Sequence, residues 1–164
     1  MGFIIILALD QATKLTGYSV WCDGKLVKHG VFNIEDIKEN PERTKNTKMF
    51  LKAMVETYNI DMVILEDIQQ QSNPKTYKIL AELLGVLCNF LYEVQLPYFI
   101  IKPSEWRKIL KIGGRKRREQ KEATKQLITG LYSVEVTEDE ADAMAIGLAI
   151  HTKGVNSFAW IKED

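Results

Sequence analysis

The sequence predicts an α/β protein in which helices flank a mixed five-stranded sheet. Apolar runs of strand length occur five times along the chain, and an Asp-Gly pair joins the second run to the third. Segments with helical apolar spacing separate and follow the later runs. The predicted order is β-β-β-α-β-α-β-α-α, and Pro103 and Ser104 can start a further short helix that ends near Leu110.

The predicted strands share an apolar or alternating pattern bounded by turn-forming residues. The first has no charged residue, which is typical of a strand that is buried on both faces. Asp23-Gly24 is a strong signal for a tight hairpin turn. The five predicted strands are Phe3–Leu9, Thr16–Cys22, Leu26–Asn33, Asp61–Leu65 and Pro97–Ile101.

The longer helices are expected where apolar residues recur every three or four positions. Gly85 lies inside one of them, and close packing against another element would explain a glycine there. Thr137 with Glu140 is the signature of a capping box. The predicted helices are about Pro41–Tyr58, Lys75–Val94, Glu119–Leu131 and Thr137–His151.

Length and composition favour one domain over residues 1–152 and a short tail over 153–164. Cys22 and Cys88 lie in apolar patterns without metal-ligand spacing and are expected to be reduced core residues. No window has the apolar length of a membrane span, and the N-terminal run lacks a basic leader. The expected location is the cytoplasm of a bacterial or phage-infected cell, without membrane contact.

The net charge is zero, but the charges are segregated along the chain. The segment from Lys102 to Lys125 holds ten basic and three acidic residues, a net charge of +7. The rest of the chain therefore carries −7. Segregation of this kind is typical of proteins that bind polyanions such as nucleic acids. The candidate DNA-binding residues in this basic segment are Lys108, Lys111, Arg115, Lys116, Arg117, Arg118 and Lys121.

Acidic residues occur in three separate apolar parts of the sequence. Asp10 ends the first predicted strand, and Glu66 follows the Asp61–Leu65 strand. Asp139 and Asp142 lie three residues apart near the start of the last helix, so they share one helix face. A helix N-terminus attracts acids in any case, but Asp142 lies deeper, among small apolar residues.

These four carboxylates would repel one another if the fold gathers them, and divalent cations relieve such repulsion. Oxygen-only ligands select hard ions such as Mg²⁺ or Mn²⁺. A site with two such ions stabilises both the attacking and the leaving oxygen of a phosphodiester. Together with the basic segment, the acids predict metal-dependent hydrolysis of nucleic acid.

Three motifs resemble those of RuvC-type Holliday junction resolvases, within the ribonuclease H-like superfamily. Ile6-Leu7-Ala8-Leu9-Asp10 through Thr16-Gly17-Tyr18-Ser19-Val20 is similar to their opening, and Ile64-Leu65-Glu66 resembles their second acidic motif. Asp139-Glu140-Ala141-Asp142-Ala143-Met144-Ala145 is similar to their closing D-x-x-D-A-L-A motif. The resemblance extends from residue 3 to about residue 150.

The resemblance implies a ribonuclease H-like fold and a magnesium-dependent crossover junction endonuclease of DNA recombination and repair. It implies that Asp10, Glu66, Asp139 and Asp142 are catalytic and hold two Mg²⁺ ions, for which Mn²⁺ can substitute. It also matches Lys108 and Lys121 to basic residues that hold the DNA backbone near the scissile phosphate. A four-way junction has two symmetry-related strands to cut, so a homodimer is expected, with the leucine stripe of Lys75–Val94 and Gly85 as its interface.

Two departures from the family pattern bear on specificity. Gln69 stands where these resolvases carry an aromatic residue implicated in opening the junction, and it belongs to a Gln-Gln-Gln loop. The Arg115–Arg118 cluster is also richer in basic residues than is usual there, so contacts to the phosphate backbone should dominate. We therefore expect cleavage of four-way junctions, forks and three-way junctions with little sequence preference, which would suit a phage or mobile-element enzyme.

Other functions fit parts of the pattern. A ribonuclease H-like nuclease acting on RNA-containing substrates shares the fold, although the Asp139/Asp142 motif favours a resolvase. A junction-binding protein without catalysis would not need all four acids. The sugar-kinase and actin-like ATPase group opens on a similar Asp-x-x-Thr pattern, but those enzymes need a second domain, for which 164 residues are too few.

Overall fold

A computed structural model describes residues 2–69 and 73–162. The strands in these ranges are β1 Ile5–Asp10, β2 Leu15–Cys22, β3 Lys25–Asn33, β4 Met62–Glu66 and β5 Tyr98–Ile101. The α-helices are α1 Asn40–Tyr58, α2 Pro74–Glu93, α3 Pro103–Ile109, α4 Arg117–Tyr132 and α5 Glu138–Lys153. A 3₁₀ turn, Val155–Ser157, follows α5.

The strands form one mixed sheet in the order β3-β2-β1-β4-β5. β1 pairs antiparallel with β2 and parallel with β4, and β5 continues the parallel half. The prediction of a mixed five-stranded sheet flanked by helices is therefore confirmed. The short helix after β5 does form, so three helices follow the last strand in the described part of the chain.

The first hairpin turns at Asp23 and Gly24, which have φ angles of 48° and 81°. Positive φ at both central residues is the geometry of a type I′ turn, whose twist matches that of the flanking strands. This turn sets the register in which Cys22 pairs with Lys25, and it confirms the hairpin that the Asp-Gly pair predicts.

Alternation along the central strands separates two apolar layers. Leu7 and Leu9 of β1 pack with residues of α1 and α2 on one face of the sheet. Ile6 and Ala8 pack on the other face with Ile64 of β4 and with residues of α3, α4 and α5. Because successive side chains of a strand point to opposite faces, the next residue in the even-numbered series, Asp10, points to the face that α5 covers.

Helix α5 is locked onto β2 by polar and steric contacts. The Ser19 hydroxyl donates to the carbonyl oxygen of Ala143 over 2.7 Å, and the Trp21 indole Nε1 donates to the Ser19 oxygen over 2.8 Å. A methyl group on Gly147 would overlap with that indole, so glycine lets α5 approach closely. These contacts fix the height and rotation of α5 above the sheet.

The inner face of α2 belongs to this chain's own core. Three leucines of the stripe, Leu83, Leu87 and Leu91, are buried there, whereas Leu84 is only partly buried. Gly85 is exposed, with open space around its Cα rather than a closely packed neighbour. The prediction of close packing at Gly85 is therefore wrong within the described structure.

Two smaller expectations are also modified. Cys22 and Cys88 are free thiols, but both are only half-buried. The Thr137 oxygen accepts from the main-chain N–H of Glu140, as expected of a helix cap. The Glu140 carboxylate pairs instead with the His29 Nδ1 of β3, 2.6 Å away, so only half of the predicted capping box forms.

The tail returns to the sheet edge. Ile161 exchanges two main-chain hydrogen bonds with Tyr98 of β5, and the rings of Phe158 and Trp160 lie against Phe99. Within the described residues, none of the helices combines the length and the apolar character needed to cross a membrane.

Candidate active site

Asp10 and Glu66 lie side by side at the ends of two neighbouring parallel strands. The pairing of β1 with β4 places Leu9 opposite Leu65, so the next residue of each strand is an acid. Both acids continue the series of side chains that face α5, namely Ile6 and Ala8 in β1 and Ile64 in β4. The sheet alone thus brings two carboxylates together.

Helix α5 brings the other two acids to the same place. Asp142 is only 4% exposed, and Asp139 lies one turn closer to the helix start. Gly17 of β2 pairs with Asp10 across the sheet, and a methyl group on Gly17 would overlap with the carbonyl oxygen of Asp139. The glycine therefore lets the acidic end of α5 descend to the level of Asp10.

All four acids line one pocket. Three basic side chains line it too, which makes the site mixed in charge rather than purely acidic. The charged lining residues are Asp10, Glu66, Asp67, Asp139, Asp142, Arg107, Arg117 and Lys121.

Crowding and burial favour the protonated form of these acids when no cation is present. Burial, followed by the charges of Glu66 and Asp142, raises the pKa of Asp10 well above its ordinary value. Burial also raises the pKa of Glu66, Asp139 and Asp142. A site that resists ionisation in this way would gain from a bound cation.

Lys121 of α4 meets Asp142 in the pocket. Its ammonium lies 2.8 Å from the Asp142 carboxylate, and the two side chains are 16% and 6% exposed. Burial lowers the pKa of Lys121, but the Asp142 charge and hydrogen bond outweigh this and raise the pKa above its ordinary value. Lys121 therefore stays charged and offsets part of the acidic charge.

Trp106 anchors Glu66 from below. Its fully buried indole donates from Nε1 to a Glu66 carboxylate oxygen over 2.8 Å, and this bond lowers the pKa of Glu66 against the effect of burial. The Arg107 guanidinium lies 5.0 Å from the centre of the same ring. The Nε of Arg107 is buried and makes no hydrogen bond within the described residues.

Gln11, the residue after Asp10, binds the main chain of Glu66 at two points. Its side-chain Nε2 donates to the Glu66 carbonyl oxygen over 2.5 Å, and its Oε1 accepts from the Glu66 N–H over 3.1 Å. Gln11 also lines the pocket. It therefore connects the ends of β1 and β4 beyond the last residues of the regular strand pairing.

Comparison with known proteins shows the family of the chain. The model of the family described as crossover junction endodeoxyribonuclease RuvC matches residues 6–151, which include all four acids. The chain belongs to the RuvC family. A RuvC of Rhodopirellula baltica is 27% identical over 151 residues, covering 89% of this chain and 85% of its own. A RuvC of Syntrophomonas wolfei is 25% identical over 158 residues, covering 93% and 92%.

Solved structures of RuvC and other resolvases have the same fold. Thermus thermophilus RuvC in complex with a Holliday junction superimposes with a TM-score of 0.74 at 15% identity, over 98% of this chain and 99% of that one. The Fowlpox virus resolvase gives a TM-score of 0.60 at 19% identity, over 92% and 97%. The predicted ribonuclease H-like fold and the resemblance to RuvC-type resolvases are confirmed.

The basic residues of this RuvC-family chain divide into two groups. Arg117 and Lys121 line the pocket, as does Arg107, which the sequence did not single out. The matched Lys108 is exposed and lies outside the pocket lining. The other exposed basic candidates outside the lining are Lys111, Arg115, Lys116 and Arg118.

Sequence reasoning also missed Trp106 and Gln11 as parts of the site. Trp106 is fully buried, and its indole N–H is directed at Glu66. Gln11 could have been singled out as a residue of the site because it directly follows Asp10. Gln69 lines the pocket, whereas the neighbouring Gln70 and Gln71 of the predicted loop lie outside the described residues.

The donor set of the RuvC-family site fits a hard divalent cation, since the acids supply only oxygen atoms. In the described ranges, no group of three or more His, Cys, Asp or Glu side chains has the geometry of a metal-binding site. Two of the acids have partners within the pocket: Asp142 is paired with Lys121, and one oxygen of Glu66 accepts from Trp106.

Proposed function

We propose that this chain is a metal-dependent, structure-selective endonuclease that cleaves Holliday junctions and other branched DNA by hydrolysing a phosphodiester. The observation that carries the proposal is the convergence of Asp10, Glu66, Asp139 and Asp142 on one pocket in a RuvC-family chain. Relatives named crossover junction endodeoxyribonucleases support the substrate class.

We infer that the four acids hold two Mg²⁺ ions, with Mn²⁺ as a substitute. Bound there, the ions would supply charge stabilisation for the attacking and leaving oxygens of the phosphodiester. The raised pKa values of Asp10 and Glu66 support this assignment, because carboxylates forced together without a counterion gain most from one.

The basic side chains of the pocket would position the scissile phosphate. Arg107 has a buried Nε without a hydrogen-bond partner among the described residues, and a phosphate oxygen would satisfy it. Arg117 lies on the same lining. Lys121 would keep the Asp142 carboxylate oriented through their ion pair. Its positive charge would also attract the phosphate.

We assign DNA binding away from the pocket to the exposed basic residues. Phosphate contacts of this kind set affinity and orientation but carry no sequence information. The bound DNA would be a four-way junction, and forks and three-way junctions would also be accepted. The residues assigned to this surface are Lys108, Lys111, Arg115, Lys116 and Arg118.

We further propose that residues 1–152 form one nuclease domain with 153–164 as its tail, acting as a homodimer in the cytoplasm of a bacterial or phage-infected cell. The pairing of Ile161 with Tyr98 supports a tail that belongs to the same folded unit. Two symmetry-related strands in a four-way junction favour two copies of the site.

The decisive experiment offers the protein a four-way junction, a duplex of the same sequence and an RNA–DNA hybrid, each with Mg²⁺ or with EDTA. Paired incisions in the junction alone, with Mg²⁺ alone, are expected. Asp10→Asn, Glu66→Gln, Asp139→Asn and Asp142→Asn should each abolish cutting while junction binding survives. Asp36→Asn, at an exposed acid, is the matched control and should cut normally.

Other results would point to the alternatives. Selective cleavage of the hybrid would favour a nuclease for RNA-containing substrates. Tight junction binding without cleavage under any metal condition would favour a junction-binding protein. An acid variant that cuts at the wild-type rate would remove that residue from the site.

A further inference from the structure

The Gln11 side chain binds Glu66 in the way that a neighbouring strand would. One planar amide donates to the Glu66 carbonyl oxygen and accepts from the Glu66 N–H. Both bonds are to the main chain, so they leave the Glu66 carboxylate facing the pocket, where one of its oxygens accepts from Trp106. We propose that Gln11 is a positioning residue that holds the ends of β1 and β4 together, and with them the Asp10 and Glu66 carboxylates side by side, before any cation binds.

The two acids lie where the regular pairing of β1 with β4 stops, so the hydrogen bonds from Gln11 are needed to hold the strand ends together. Pairing of β1 with β4 runs from Ile6–Met62 to Leu9–Leu65, so the two acids lie one residue beyond the last pair. Both carboxylates line the same pocket at this end of the sheet. No further pairing of β1 with β4 holds the strand ends together beyond this point, and the two hydrogen bonds from Gln11 oppose their separation.

Few side chains could replace this amide. The carbonyl oxygen of Glu66 needs a donor and its N–H needs an acceptor, and the amides of Asn and Gln carry both on one planar group whatever the pH. A glutamate at position 11 could accept but, when ionised, could not donate. An asparagine is one methylene shorter, so it could not reach both main-chain atoms from the same backbone.

The inference rests on the proposed metal-dependent function and adds a residue that would not itself bind the ion. Outer residues that orient metal ligands typically change metal affinity by about 10- to 100-fold when they are replaced. Gln11 should lie near the lower end of that range, because it acts through the main chain of a single ligand.

The test measures Mn²⁺ binding to the full chain without DNA, by calorimetry or by the loss of the free-ion electron paramagnetic resonance signal. Gln11→Met keeps the length of the side chain and removes both hydrogen bonds. It should bind Mn²⁺ roughly tenfold more weakly than the wild type. Gln126→Met, at an exposed position of α4, is the matched control and should bind as the wild type does.

Cleavage provides a second measurement. The Mg²⁺ concentration for half-maximal rate should rise by a similar factor in Gln11→Met. At saturating Mg²⁺ the rate should recover most of its value, and junction affinity in EDTA should be unchanged. If Gln11→Met fails to fold, Gln11→Asn takes its place with the same expected weakening.

Failure of this inference can be distinguished from failure of the proposed function. Equal Mn²⁺ affinity in the wild type and Gln11→Met, with weaker binding in Glu66→Gln, would overturn the role of Gln11 and leave the function intact. No Mn²⁺ binding and no metal-dependent cleavage by the wild type would overturn the function, and the role of Gln11 with it.

Discussion

Gly17 and Asp139 touch through their main chains at the point where β2 meets the acidic end of α5. A methyl group on Gly17 would overlap with the Asp139 carbonyl oxygen, and Gly17 is also the residue paired with Asp10 in the sheet. Gly17→Ala should therefore push α5 away from Asp10. We expect a loss of about 1–3 kcal/mol of stability from overpacking. We also expect a cleavage rate lower by roughly 100-fold from the displaced acids.

Gly130→Ala is the matched control for this glycine. Gly130 lies in α4 with open space around its Cα, so alanine should raise the unfolding free energy by up to about 1 kcal/mol. Its cleavage rate should stay at the wild-type level. Chemical denaturation and single-turnover cleavage measure both effects, and normal cutting by Gly17→Ala would contradict the proposed role of the close contact.

A second prediction concerns stability and pH. Because the pKa of Asp10 is raised in the folded protein, the folded state binds more protons than the unfolded chain between the ordinary and the raised pKa. Stability therefore falls as the pH rises through this window. Asp10→Asn removes that loss, so in EDTA near neutral pH it should melt at a higher temperature than the wild type.

The advantage of Asp10→Asn should shrink as the pH falls toward about 3, below the ordinary pKa of an aspartate, where the carboxyl is largely protonated in both states. Added Mg²⁺ should narrow the gap as well, because it binds and stabilises the wild type more than the variant. Thermal melts across this pH range measure the effect. A wild type more stable than Asp10→Asn at neutral pH without metal would show that the acids are not under repulsion.

A third prediction separates two lysines that sequence resemblance treats alike. Lys121→Met leaves Asp142 buried without its partner and should cost about 3–5 kcal/mol, together with cleavage. Lys108→Met, at an exposed position outside the pocket lining, should change stability by less than about 0.5 kcal/mol and retain the cleavage chemistry.

Salt dependence provides the measurement for Lys108. If it contacts one phosphate, its loss should lower the slope of log affinity against log salt by about 0.9. Junction affinities of the wild type and Lys108→Met at several salt concentrations give the two slopes. Identical slopes would remove Lys108 from the DNA-binding surface.

A fourth prediction concerns the homodimer. The inward leucines of α2 are used by the core, so the outward face around Gly85 remains as the candidate contact. Gly85→Gln should weaken self-association in sedimentation experiments, whereas Gly130→Gln, also in open space on a helix, should not. A wild type that stays monomeric at working concentrations, with paired incisions intact, would refute the dimer.

The last prediction is broad sequence tolerance. Affinity should come mainly from phosphate contacts, which do not read bases, and Gln69 is poorly suited to wedge between bases. On a mobile junction that presents every dinucleotide at the branch point, cuts should be spread across the branch-migrating core. Incisions confined to one short consensus would contradict this expectation.

The sequence predicted the strands and the four acids because both depend on local patterns. Apolar runs mark buried strands, and an acid at the end of such a run is conspicuous in one dimension. Strand alternation then carries Asp10 and Glu66 to the same face without further information. Periodicity was therefore sufficient to predict the strands and the common face of Asp10 and Glu66.

The sequence did not reveal Trp106, Gln11 and Arg107, because their places in the site follow from long-range contacts and from the rotation of a helix. Trp106 meets Glu66 across 40 positions of sequence, and Gln11 meets it across 55. Arg107 and Lys108 are neighbours on a helix, where successive side chains point about 100° apart, so one faces the pocket and the other faces solvent. A pattern of basic residues cannot decide between such neighbours until the helix has a fixed rotation.

The contacts between β2 and α5 have a consequence for how this family can vary. Every second residue of the strand, Gly17, Ser19 and Trp21, meets every fourth residue of the helix, beginning at Asp139. Two strand residues rise about 6.6 Å and four helix residues about 6 Å, so the two spacings stay in step over this short length. An insertion or deletion within either element would break the match and carry the acids away. The stretch of α5 beside β2, from Asp139 to Gly147, must therefore change together with the strand.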